Sequence, residues 1–444
     1  MILNDILFKI QKVTKPIYDK SYLLKNIDIL VFLSILAVIF VSVFAPSDSI
    51  GYFALIAIIL TIIKLLVKPN EKFYLNSADK VLLIYFMLVL ISVAGSSLLI
   101  LSIKGFCKTL IYIGFYISFV HYLKDNRSKL KYILMALAFS VFAESIVAIK
   151  QNFLSVSEIS GWQDMSRLNP EQVMTRVYGS IKPYNPNLFG GYMLSILPTT
   201  LILVFLPLLN KHYKTAFCGF LCFILGIATV FMTGCRGAYL GLFIELFLFA
   251  VLTYKFLKPI YKKIFLLLSG IAGFFTTLFI LSKASLRARI ISIFAMRSDS
   301  SNSFRFNVYN SCIDMFKDNW LLGIGVGNQN FREIYGLYMK TGFDALSAYN
   351  IYLETAVESG LFALIAFLGF ICIHFVKAIK YIIKRSNSNA IYLAIAVISL
   401  SGILIHGFVD TVFFRPQIQF VFWIMIGIIR VITCPRGFYV RKRN

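Results

Sequence analysis

The sequence predicts an all-α, polytopic integral membrane protein with about twelve transmembrane helices, and three observations predict it. Of 444 residues, 59% are hydrophobic and only 14% are charged, a mean hydropathy of +0.80. Apolar runs near the roughly 20 residues needed to cross a bilayer recur along the whole chain. The short connections between them alternate between rich and poor in Lys and Arg. The formal charge of +24 does not indicate nucleic acid, because a nucleic-acid binder gathers its basic residues on one soluble face. Here they punctuate apolar runs and report topology.

Taken in order, Met1 to Asn26 carries five lysines with neither an apolar core nor a small-residue cleavage site. It therefore does not read as a cleavable signal peptide, and the first span acts as the insertion signal. Spans are expected at 29–45, 50–67, 80–95, 105–123, 131–153, 187–209, 215–233, 236–254, 262–282, 351–376, 390–409 and 417–432. The stretch from Ser96 to Lys104 reads as a short surface segment. Four Lys or Arg lie in each of the segments 64–80, 124–131, 255–263 and 377–385, and five in 430–443. The intervening short loops hold one or none, so both termini are expected in the cytoplasm of an inner-membrane protein. The long loops 154–186 and 283–350 then face outward, the second lying between spans nine and ten. Three units follow: N-terminal spans and first outer loop (1–186), a core with the large loop (187–376), and C-terminal spans with a basic tail (377–444). The seven cysteines form no C-x-x-C pair, so neither a disulfide framework nor a metal site is expected, and no cofactor.

The loop 283–350 far exceeds an ordinary connection, and loops of that length are usually functional or disordered. Phe304, Val308, Cys312 and Met315 step by four, four and three, giving the apolar stripe of a short helix that holds Arg305 in place. Upstream lie Lys283, Arg287, Arg289 and Arg297, with Asp299 the single acid of the run. A guanidinium fork at Arg305 suits phosphate oxygens, while the run as a whole also suits lipid headgroups. Arg236, in T-G-C-R-G-A, opens a helix at the outer interface, where it adds to the positive dipole end as an anion site or snorkels to the interface. The glycines of L-L-G-I-G-V-G-N follow no strand, so they predict a tight chain reversal and not a dinucleotide cradle. Asn350 is a candidate N-cap of span ten. Glu354 and Glu358 share one helix face, as a polar wall of a site or as carboxylates favoured by the helix dipole.

These motifs, with R-x3-Y-x2-C-I-x-M-F-x-D-x2-L-L-G-I-G-x-G-N-x2-F and S-A-Y-N-x-Y-L-E-x2-V-E-S-G-L, resemble the signature region of the O-antigen ligase and O-antigen polymerase superfamily over 190–376. R-V-Y-G-S-I-K-P-Y-N-P-N-L-F-G-G-Y and H-G-F-V-D-T-V-F-F-R-P resemble the branch named for inorganic-carbon (bicarbonate) transport, which leaves a small-anion transporter or a non-catalytic binder of lipid-linked glycan as alternatives. The superfamily resemblance implies transfer of a glycan from an undecaprenyl-diphosphate carrier to a lipid or glycan hydroxyl at the outer membrane face. It implies that Arg236 and Arg305 hold the diphosphate. Arg176, Asn185, Asn187, Asn350, Glu354 and Glu358 join the expected binding set. Ligases of this superfamily have His-Asn where this chain has Tyr349-Asn350, and tyrosine, with an ordinary pKa near about 10, is a poor base at neutral pH. Of the four histidines, 121, 212 and 374 fall on the inner side. His406 alone is near an outer end, and Asp410, four residues on, is expected to share its helix face and orient it, with Tyr349 shaping the acceptor side. Simple packing of His406 at the end of span eleven is the alternative.

Overall fold

In hydrocarbon no water satisfies backbone N–H and C=O groups, so long apolar runs fold as helices, which satisfy them within the segment. The computed structural model describes residues 2–153 and 175–434. Twelve helices are long and apolar enough to span, here numbered in order: Ile27–Phe44, Ser47–Val67, Ser77–Ala94, Leu99–Asp125, Arg127–Asn152, Pro186–Leu209, Tyr213–Met232, Arg236–Phe256, Pro259–Ser282, Ile351–Lys384, Ser388–His406 and Pro416–Thr433. No strand occurs among the described residues. Span four begins at Leu99, so the expected surface segment is instead its first turns. The chain reverses just before it, where the Ser96 hydroxyl donates to the Ile324 carbonyl at 2.8 Å and accepts from the Leu98 N–H at 3.3 Å. Residues 154–174 of the first long loop and the basic tail from Arg436 lie outside the described residues.

Burial separates helices that hydropathy cannot. Span twelve is 89% buried within its apolar window, whereas span nine is 0% buried and stands against the bilayer. Burial also shows that two of the charges counted toward the expected topology do not reach solvent. Arg430 is 2% exposed and grips Asp79 of span three from Nε (3.0 Å) and Nη2 (2.8 Å), while Tyr116 donates to the same carboxylate at 3.0 Å. Lys64 is equally buried and pairs with Asp28 at 2.8 Å. An ion taken out of water is tolerated only when paired and hydrogen-bonded, so both are internal clamps.

The large loop folds into helices Ala284–Ile291, Ser300–Asn319 and Asn328–Tyr335. The expected stripe is present. Val308, Cys312 and Met315 are fully buried against Ile324, Phe331, Tyr335, Ala348 and Val357, so the helix lies on other loop segments and on the start of span ten. The glycine segment does more than reverse the chain. Span ten is broken at Gly360 (φ 81°, ψ 172°), and the chain from Trp320 to Gly327 runs beside the break. Ile324 and Gly325 donate to the carbonyls of Val357 and Glu358 at 2.9 Å, and Leu361 donates to that of Trp320 at 2.8 Å. The Glu358 carboxylate accepts from Gly327 N–H at 2.9 Å. Irregular backbone at membrane depth persists only when protein groups satisfy it in this way.

A Cβ at Gly360 would lie 2.3 Å from the Leu321 carbonyl oxygen and would hold an L-residue in the left-handed region. Gly360→Ala is therefore expected to lose about 3 kcal/mol or more of stability, read by thermal unfolding in detergent. A midpoint equal to that of the native chain would mean the loop does not depend on this break.

Candidate functional site at the arginine turn

The ends of spans seven and eight meet in the turn Thr233–Gly234–Cys235, with Gly234 at φ 61° and Arg236 as the first residue of span eight. Two arginines from elsewhere hold its carbonyls. Arg176 Nε donates to Thr233 O and Arg289 Nε to Gly234 O, both at 2.8 Å. Arg176 also donates to the Asn187 side chain, and Asn185 caps span six by accepting from the Asn187 and Leu188 N–H groups at 2.8 and 3.3 Å. These three residues thus brace the turn.

Arg236 is 7% exposed and donates through Nη1 to the Asp299 carboxylate at 2.8 Å and to the Ser292 hydroxyl and carbonyl at 3.2 and 3.3 Å. Asp299 is in turn the N-cap of the Ser300–Asn319 helix, accepting from Asn302 N–H at 3.0 Å. Arg305 lies six residues on. One carboxylate therefore ties span eight to the helix that carries the second arginine. Arg305 is less committed: its Nη2 is 3.6 Å from Asp410 Oδ2, and its guanidinium lies 5.7 Å from the centre of the Tyr349 ring. It is close enough to Arg236 to act on it electrostatically.

Two motifs that are distant in sequence form the far wall. Ser347 and Thr411 share a hydroxyl hydrogen bond at 2.5 Å, Asn350 Nδ2 donates to Phe408 O at 3.1 Å, and Ile351 N–H donates to Gly407 O at 2.8 Å. Tyr309 donates to the Tyr349 carbonyl at 3.1 Å. Asn350 also caps span ten, accepting from Tyr352 and Leu353 N–H. Glu354 accepts from Ala348 N–H at 2.8 Å. Glu354 and Glu358 each hold a loop by a backbone hydrogen bond, so they brace the wall from behind.

The expected helix face shared by His406 and Asp410 is not formed. Span eleven ends at His406, and Asp410 lies beyond it, its Oδ1 accepting from Thr411 and Val412 N–H at 2.8 and 3.2 Å. The imidazole contacts Cys235 instead, Nε2 to Sγ at 3.6 Å. It fits between two glycines, since a Cβ at Gly191 would lie 2.9 Å from Cε1 and one at Gly237 2.4 Å from Cδ2. Asp410 and Arg305 still reach the ring electrostatically.

Among the described residues, the guanidiniums of Arg176, Arg236, Arg289 and Arg305 gather at this end of the bundle with the carboxylates of Asp299 and Asp410, a set of fixed donors suited to an anion. Burial works against ionised Asp299, but hydrogen bonds from Arg236 and Asn302 and the charges of Arg236 and Arg289 hold it below the usual carboxylate range. Burial and the Asp410 charge push Tyr349 up against the opposing Arg305, so its phenol keeps its proton. The Cys235 thiol, although buried, is held low by His406. Sequence reasoning did not place Asp299, Ser292 or Cys235 in the site, and Arg289 only in a general basic run. The lone acid of that run was the available signal for Asp299.

Residues 221–368, about a third of the chain, match the family model described as O-antigen ligase. A Haemophilus influenzae protein described as uncharacterized is 24% identical over 340 residues, 72% of this chain and 77% of that protein. The family match supports the O-antigen ligase and polymerase superfamily, a family of membrane glycan ligases and polymerases acting on lipid-linked glycans. The matched stretch contains Arg236, Asp299, Arg305, Tyr349, Asn350, Glu354 and Glu358. Arg176, His406 and Asp410 lie outside it.

Proposed function

We propose that the protein transfers a glycan from a polyprenyl-diphosphate carrier, undecaprenyl diphosphate in the family's manner, to a hydroxyl of a lipid or glycan acceptor. The observation that carries this is the convergence of Arg236 and Arg305, tied through Asp299, within the segment that matches the ligase family. The diphosphate competes with Asp410 for Arg305, whose fork meets two phosphate oxygens at once. The bond between the sugar anomeric carbon and the phosphate oxygen breaks with its electron pair going to the diphosphate. A bond from the acceptor oxygen forms at that carbon, and fixed guanidiniums stabilise the charge that develops on the leaving group. Once Arg305 has turned to the diphosphate, Asp410 Oδ2 is free to take the acceptor's proton. His406 stands behind it, and Tyr349 shapes the acceptor side. The site end of the bundle faces outward across the inner membrane, and both termini face the cytoplasm.

Purified protein in proteoliposomes, given a radiolabelled polyprenyl-diphosphate glycan and acceptor lipid, is expected to release free polyprenyl diphosphate. Uptake of bicarbonate without release would favour the small-anion transporter instead, and binding without release would leave only a glycan binder. For orientation, an impermeant thiol reagent on spheroplasts should label Ser300→Cys and spare Ser386→Cys, with the native cysteines replaced. The opposite pattern reverses the topology.

A further inference from the structure

We infer that the N-terminal helix Ile2–Lys20 lies along the membrane surface on the side away from the arginine turn, with one apolar stripe immersed in a leaflet of anionic phospholipid. Its docking sets how it lies. Asn4 and Phe73 exchange paired hydrogen bonds at 3.0 and 2.9 Å, Gln11 donates to the Leu65 and Glu71 carbonyls at 2.7 and 2.8 Å, and Thr14 donates to that of Leu66 at 3.1 Å. These partners belong to the last turn of span two and the connection after it, so the helix crosses the end of that span and does not run beside it. Successive spans alternate in direction, which puts this end opposite the turn between spans seven and eight.

Three faces of the helix differ in what they meet. Asn4, Leu7, Gln11 and Thr14 step by three and four along the docked face, where Leu7 and Gln11 are buried. Leu3, Ile6, Ile10, Val13 and Ile17 keep the same step one residue earlier, a second face turned about 100° from the first. Leu3, Ile6, Val13 and Ile17 are between 49% and 77% exposed. In chain order this exposed apolar series continues through Tyr22, Leu23, Ile29 and Leu33 into the lipid-facing flank of span one. Lys9, Lys12, Lys15 and Lys20 are exposed on the rest of the helix and Lys25 follows, against only Asp5 and Asp19. Lys9 is one turn from Ile6 and Val13, and Lys20 one turn from Ile17, so with the stripe immersed their ammonium groups reach the headgroup level. A surface helix with an apolar stripe bordered by lysines fits an anionic lipid interface. A second copy packed stripe to stripe would instead set these lysines against their equals.

The test puts a nitrobenzoxadiazole fluorophore on single cysteines of the full chain, with the native cysteines replaced. The protein sits in nanodiscs of equal parts phosphatidylglycerol and phosphatidylcholine, one of the two brominated in its acyl chains. Val13→Cys, on the stripe, should be quenched by brominated lipid, and Lys12→Cys, on the water face, should not. Phe274→Cys, exposed on span nine, reports the lipid annulus and should be quenched equally by either brominated lipid. At position 13, phosphatidylglycerol should quench as though enriched about fivefold over phosphatidylcholine, the worth of about one lysine near an anionic surface. Lys9→Gln combined with Lys20→Gln should remove that preference and keep the quenching, because the docked face is untouched. Equal quenching at positions 12 and 13, or none at 13, would overturn the placement of the stripe. Cross-linking of position 13 between two copies in place of quenching would hand this face to a second chain, and no preference for phosphatidylglycerol with both lysines present would overturn the anionic partner.

Discussion

Arg305→Ala is expected to release polyprenyl diphosphate about 10²–10³ times more slowly than the native chain, the usual cost of removing one donor aimed at developing negative charge. Its fold should survive. Among the described residues Arg305 is held only by a 3.6 Å contact with Asp410 and by its position over Tyr349, and the helix that carries it is anchored by its apolar stripe and by Asp299. Arg236 differs, because its three hydrogen bonds hold the loop to span eight, and its removal leaves Asp299 half-buried without its cation. Arg236→Ala should therefore lower stability and transfer together, whereas Arg305→Ala lowers transfer alone. Arg305→Lys separates charge from shape, since an ammonium cannot make the two-pronged contact and should recover only a small part of the rate. A near-native rate in Arg305→Lys would reduce this residue to a charge. A near-native rate in Arg305→Ala would remove it from the reaction.

Much of this architecture is legible in the sequence because bilayer thickness and helical period leave few choices. The twelve spans and the stripe of Val308, Cys312 and Met315 are read directly from apolar spacing. What escapes is set by partners far away in the chain. Arg430 reads as a surface cation until Asp79, 351 residues before it, is found against it. The break at Gly360 is hidden because helix-compatible residues stand on both sides of it, and the backbone that repairs it comes from a separate loop. The misplacement of Asp410 has a local cause. Apolar periodicity carries span eleven through Phe408 and Val409, yet Gly407 directly after His406 is a helix stop signal. Given that stop, Asp410 belongs to a loop that meets Arg305 across space, which four-residue spacing cannot express.

That displacement decides between two candidate proton acceptors and yields the second large effect. Asp410 spends Oδ1 on two backbone N–H groups and presents Oδ2 to Arg305, the side chain that the diphosphate would draw away. His406 is 3% exposed, its Nε2 engaged by Cys235 and its ring fitted between Gly191 and Gly237. Asp410→Asn should keep the fold, since the amide oxygen can still accept from Thr411 and Val412. Its transfer rate should fall by about 10²–10⁴, the usual range for loss of a general base. His406→Ala should act mainly through packing, costing about 2 kcal/mol of stability as the slot between the glycines empties, with a smaller loss of rate. Single-turnover release of polyprenyl diphosphate, followed against pH for both variants, separates the two roles. If Asp410→Asn turns over normally while His406→Ala, still folded and still binding donor, loses transfer and the low-pH limb of its profile, the imidazole is the acceptor and Asp410 only steers Arg305.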